Sequence, residues 1–301
     1  MRGILTWVVI GLTCACSNPN VTGAVPTTPG TGAWTDPEKA ASKTVLLVGG
    51  SENNLYIVAY PSGKPLHTLT GFDEPQGTCS DGNGHFWIAN TGNADVIEYS
   101  SDGANLGTVS DANNYPVGCA YDPKTGDLAV ANIITTSDGP GNVAIYSKAK
   151  GSPKIYTAAS LRKIYFAAFA GSSGTLVVDG ENSSSDVAIA SFNGGKFHEI
   201  TLKGETIEFP GALAWSTKLR SMNIGDQDSS AIYHFDLDGK VTGTTTTEAP
   251  GMYVVFGGTL LSAATDGLEV YDYPAGGSPK RLIPLQSFGG GAPAVSSAVT
   301  E

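Results

Sequence analysis

From Lys43 onward, apolar and polar residues alternate in short runs broken by glycine turns. This is the two-residue period of half-buried strands and not the 3.6-residue period of helices. The runs repeat. Gly77–Asn90 and Gly118–Asn132 each read as a strand, a glycine-bearing turn and a second strand that ends in Asn. Further copies start at Ala167, Gly211 and Met252. After each pair comes an alternating strand whose fourth position is usually aromatic: Tyr60, Tyr99, Tyr146, Phe235 and Tyr271, with Ala190 in that slot in the remaining copy. The slots lie 39, 47, 44, 45 and 36 residues apart, and turns such as SSDG, NGGK and LDGK follow them. Units of about 40 residues with this pattern are four-stranded antiparallel sheets.

Six such sheets around an axis make an all-β, six-bladed β-propeller. A sandwich would explain the alternation but not six matching registers. The first copy starts at Thr44–Val48, which matches the second strand of the others, so its innermost strand is missing. The segment from Gly291 to Val299 resembles the missing piece, so strand 291–300 is expected to complete blade one and close the ring. The expected domain is residues 43–301.

Residues 1–16 combine Arg2, an apolar run from Ile4 to Leu12 and small residues before Cys16, a secretory signal pattern too short for a permanent membrane span. Residues 17–42, rich in Pro, Thr and Gly, read as a flexible tether. Ala15-Cys16 resembles the lipobox of bacterial lipoproteins, which implies lipid attachment at Cys16. The expected address is the cell envelope, with membrane contact through that anchor only.

Composition adds two limits. Glycine is abundant at 39 residues, and charge is low at 15%. The formal net charge of −11 argues against nucleic acid as a partner.

The segments Asp122–Asn132 and Asp81–Asn90 resemble NHL-type six-bladed propellers of exported bacterial proteins. The resemblance implies the fold; the superfamily spans binding modules, scaffolds, lactonases and lyases.

The loops joining second to third strands hold Glu52, Asp95, Asp138, Asp179, Glu181, Asp186, Asp226, Asp228 and Asp266, and no Lys or Arg. Lysines 64, 124, 148, 150, 196, 218, 240 and 280 fall on the opposite end. Asn90, Asn132 and Asp179 read as equivalent positions at second-strand ends, with Asp226 and Asp266 within a residue or two. These five are the candidate ligand-binding residues at the channel mouth. Their oxygens suit a polar ligand, or alternatively Ca²⁺ or another divalent cation. Regucalcin- and gluconolactonase-type propellers are similar in using such residues for a metal, which implies a metal-dependent hydrolase or lactonase as the alternative. Here the one early carboxylate, Glu52, stands in a loop, which departs from that pattern. No nucleophile elbow, phosphate loop or converging histidine set is present. The expectation is therefore a monomeric, non-catalytic module with no catalytic residues and no cofactor, binding an unknown protein or a small polar ligand. Cys79 and Cys119 share one slot on neighbouring innermost strands, which leaves a disulfide and two buried free thiols equally open.

Overall fold

The computed structural model describes residues 44–49, 53–264, 267–284 and 295–300. Cys16, the tether, Glu52, Asp266 and residues 291–294 lie outside them. The chain forms a six-bladed β-propeller of four-stranded antiparallel blades. Blade one is Val295–Thr300, Thr44–Gly49, Leu55–Ala59 and Pro65–Leu69, counted from the axis outward. Blade two runs from Pro75–Ser80 through His85–Asn90 and Asp95–Ser100 to Asn105–Ser110. Blade three runs from Asn114–Tyr121 through Leu128–Thr135 and Pro140–Tyr146 to Lys154–Tyr156. Blade four runs from Lys163–Phe169 through Leu176–Glu181 and Val187–Asn193 to Lys196–Ile200. Blade five comprises Pro210–Ser216, Ser221–Asp226, Ala231–Phe235 and Val241–Thr246. Blade six comprises Tyr253–Phe256, Thr259–Ala264, Gly267–Asp272 and Arg281–Pro284.

The C-terminal strand pairs with the first strand of the propeller, Thr300 opposite Thr44 and Val295 opposite Val48. It also touches the innermost strands of blades two and six, so the ring is closed by non-covalent contacts. The alternation explains the core. Val45 and Leu47 face a cluster with Phe86 and Ile88 of blade two, whereas Leu46 and Val48 face Leu261 and Leu268 of blade six. Each second strand thus serves two interfaces, which is why these strands are apolar on both faces. Among the described residues, one such cluster lies between each pair of neighbouring blades.

The alignment of the repeats is corrected in blade four. The aromatic of the slot pairs with the start of the second strand: Tyr99 with Phe86, Tyr146 with Leu128, Phe235 with Met222 and Tyr271 with Leu260. In blade four that partner is Phe192, opposite Leu176, and not Ala190. In blade four the ladder between second and third strands runs on to Glu181 opposite Val187, so counting four positions from Val187 stops two residues short of the slot.

Candidate functional site

The slip in blade four changes which side chains are equivalent. Four residues beyond the slot's partner stand Asn90, Asn132, Gly180, Asp226 and Ala264. Asn90 and Asp226 pair with the prolines that open their innermost strands, Pro75 and Pro210, and Asn132 pairs with Pro116, the third residue of its own. Asp179 is one residue earlier, opposite the bulge between Ile164 and Ala167, and therefore projects from the other face of its strand.

The structure buries Asn90, Asn132, Asp179 and Asp226 completely or nearly so. Asn90 Oδ1 accepts from Asp73 N–H at 2.7 Å while its Nδ2 donates to Asp95 Oδ1 at 2.9 Å. Asp226 Oδ1 accepts from Phe209 N–H at 3.1 Å. In each case an oxygen latches the incoming chain 17 residues upstream, satisfying a backbone donor that lies just before the innermost strand and outside its ladder. Asn132 starts a buried amide relay instead. Its Nδ2 donates to Asn142 Oδ1 at 2.9 Å, Asn142 Nδ2 to Asn114 Oδ1 at 2.8 Å, and Asn114 Nδ2 to Asp111 Oδ1 at 3.1 Å. Asn132 Oδ1 and Asp111 Oδ2 have no hydrogen-bond partner in this relay, and burial raises the Asp111 carboxyl above the usual carboxylate range.

Asp179 differs from the latches. Oδ1 accepts from Phe166 N–H at 2.9 Å, but Oδ2 is buried without a partner. Burial pushes this carboxyl well above the ordinary aspartate value. The hydroxyl of Tyr253, on the innermost strand of blade six, is also buried without a partner. Its phenol is pushed up first by burial, then by Tyr273 and by the charge of Asp179. Nearer the mouth, Lys163 Nζ donates to Glu181 Oε2 at 2.8 Å and Tyr165 donates to Glu181 Oε1.

A carboxyl held this way costs stability when it ionises. Its folded-state affinity for a proton exceeds the unfolded one, so its effect is neutral below about pH 3.8 and destabilising as pH rises through the folded value. Asp179→Asn keeps the acceptor for Phe166 and removes the charge. The variant should be more stable than wild type at pH 8, by about 1–3 kcal/mol, and the difference should shrink toward zero in acid. Thermal melts across that range would measure it; a variant less stable at pH 8 would contradict this account.

Another buried network joins blades five and six. His234 Nδ1 meets Asn223 Oδ1 at 2.6 Å and its Nε2 meets Thr245 Oγ1 at 2.8 Å, with the Tyr273 hydroxyl against Nδ1 at 3.1 Å. Burial holds this histidine down at about 4, so it is neutral at physiological pH.

At the surface, the end with the second-to-third loops is acidic but not free of cations. Arg162, at the end of the connection into blade four, and Lys163, which opens its innermost strand, pair with Asp138 at 3.3 Å and Glu181 at 2.8 Å. The same end exposes Asp73, Glu74, Asp186, Glu208, Asp228 and Glu248. It also exposes two aromatics, Tyr115 at 36% and Phe209 at 37%, directly before Pro116 and Pro210, the strand partners of Asn132 and Asp226. Sequence reasoning passes over them; the repeated aromatic-proline dipeptide is the available signal. Among the described residues, no group of three or more His, Cys, Asp or Glu side chains is placed to hold a metal ion.

No protein-family model matches the chain, and no curated protein matches it. Solved structures do resemble it. A chain of a nidogen/laminin complex is 11% identical with a TM-score of 0.65, covering 85% of this chain and 97% of that one. A protein of unknown function from Bacteroides caccae is 15% identical with a TM-score of 0.61, covering 85% and 98%. At these identities the likeness is one of fold.

Proposed function

We propose that the chain is an exported, lipid-anchored binding module without catalytic activity, and that it takes a protein partner on the acidic end of the ring. The observation that carries this reading is the pair of exposed aromatics, Tyr115 and Phe209, on the end that also exposes most of the carboxylates. Large aromatics supply anchor contacts at protein interfaces, and a surplus of negative charge selects a basic partner and speeds its encounter. One structural neighbour was solved in a nidogen/laminin complex, which supports protein binding as a use of this frame. The signal-like start and the lipobox-like Cys16 support export. So does the bond between Cys79 and Cys119, since such bonds persist in oxidising compartments. The metal-dependent hydrolase reading is not favoured, because Asn90 and Asp226 commit oxygens to backbone donors.

A photoreactive phenylalanine analogue tests the surface. At Tyr115 or Phe209 it should trap a discrete protein adduct in the envelope, and trapping should weaken as salt is raised. At Leu237, exposed on the opposite end, it should trap none. Adducts from all three positions, or from none, would remove the proposal. In the same cells the wild type should partition into detergent and Cys16→Ala into water; an aqueous wild type would remove the anchor.

A further inference from the structure

A cleft of about 320 Å³ lies between blades three and four, on the end away from the acidic loops. It touches none of the candidate ligand residues at the channel mouth. Its wall is aromatic: Tyr156 ends the outermost strand of blade three, and Phe169 and Phe192 come from blade four. Phe192 is braced from both sides, by Tyr156 with centroids 4.7 Å apart and by Phe197 at 4.9 Å. Tyr156, Phe169 and Phe192 line the cleft and remain only partly buried.

The opposite wall is polar and built. Asp122 is 3% exposed; its Oδ1 accepts from Lys124 N–H and its Oδ2 from the Thr125 hydroxyl, both at 2.9 Å. Asp127 accepts from Lys148 N–H at 2.9 Å and also lines the cleft. Lys124 and Asn193 add donors at the rim. Gly174 (φ +77°) and Gly195 (φ +84°) turn the chain at the cleft in the left-handed region that favours glycine.

We infer that this cleft binds one neutral saccharide unit, the rings taking its C–H face and the carboxylates, amide and ammonium its hydroxyls. The size falls at the small end of ligand sites, which span about 300–1,000 Å³, and so suits a single ring. Carboxylates and an ammonium line the same cleft, so a ligand of either net charge would meet a like charge. A flat apolar ligand would strand the polar wall, because buried or half-buried donors and acceptors cost free energy when left unpaired. A polyhydroxylated ring matches both walls. It also leaves the acidic end free, so the two sites can be occupied together and tested apart.

Saturation-transfer NMR on the full chain tests this with glucose, galactose, mannose, N-acetylglucosamine, the N-acetylglucosamine tetramer and choline. Saturation should reach the ring C–H protons of at least one neutral sugar. A response from the tetramer alone would assign the cleft to the end of a glycan chain. Tyr156→Ala and Asp127→Asn should each weaken the responding sugar by about fivefold, the equivalent of one ordinary hydrogen bond or ring contact. Tyr156→Phe should retain binding, and it separates a lost ring from a misfolded blade. Silence from every sugar, a response to choline instead, or unchanged binding by both weakened variants would overturn the inference.

Discussion

A chain cut after residue 294 is expected to lose its cooperative melting transition and to aggregate. The excised strand is the innermost one of blade one, paired from Thr300 opposite Thr44 to Val295 opposite Val48. Removing it leaves a row of unpaired backbone groups on Thr44–Gly49, an edge that recruits other chains. The neighbouring strands fare no better, because the lost segment also packs on blades two and six. Leu46, Leu47 and Val48, now at most 1% exposed, would stand beside the gap. The loss should exceed the roughly 4–5 kcal/mol that already marks an exceptional change. A synthetic peptide of residues 291–301 should restore part of it by strand addition. A truncated chain that melts with the parent, with no response to the peptide, would show that the ring does not depend on this closure.

That closure is legible in the amino-acid sequence alone, and the reason is physical. A propeller blade repeats its burial pattern, so Thr44–Val48 stands out as a second strand with no first, and only the C-terminus can supply one. Periodicity also locates the interfaces, because Leu46 and Leu47 must face opposite neighbours. Chemistry is harder to read. Asp179 looks equivalent to Asn90 because both end a "strand then acid or amide" run, yet the bulge at Tyr165–Phe166 and the slip to Phe192 turn it to the other face. Sequence alternation fixes a face only up to the next bulge. Asn90 and Asp226 have the right oxygens for a ligand, but their backbone donors come from residues 17 positions earlier, in loops with no pattern of their own. Tyr253 reads as core beside Val254 and Val255. The aromatic cleft is invisible in the sequence, since Tyr156, Phe169 and Phe192 come from three strands of two blades. The acidic end is legible as a count, although Arg162 and Lys163 reach it from the entry into blade four, which the count leaves out.

Reduction of the bond between Cys79 and Cys119 should destabilise the propeller by about 4 kcal/mol, the chain-entropy value for a loop of this length. The two cysteines sit 40 residues apart on the innermost strands of blades two and three, with Cα atoms 5.6 Å apart. Glycine makes that approach feasible. A Cβ on Gly77 would lie 2.4 Å from Val117 O and 2.6 Å from Gly118 Cα, so only a residue without one lets the strands close to this distance. The sulfurs lie in the cluster with Trp87, Val130 and Tyr146, where both cysteines are buried. The bond therefore joins two blades that otherwise meet through packing and hydrogen bonds such as those from Thr91 Oγ1 to Pro116 O and from the Tyr146 hydroxyl to Ser110 O. For a domain of this size the expected drop in melting temperature is about 8–16 °C, at some 2–4 °C per kcal/mol. Cys79→Ala and Cys119→Ala should each reproduce most of it, and reduction should then add nothing to either variant. Counting thiols in denatured, unreduced protein supplies the independent check. Two reactive thiols from this pair, or a melt indifferent to reductant, would mean that the blades are held by packing and hydrogen bonds without a covalent link.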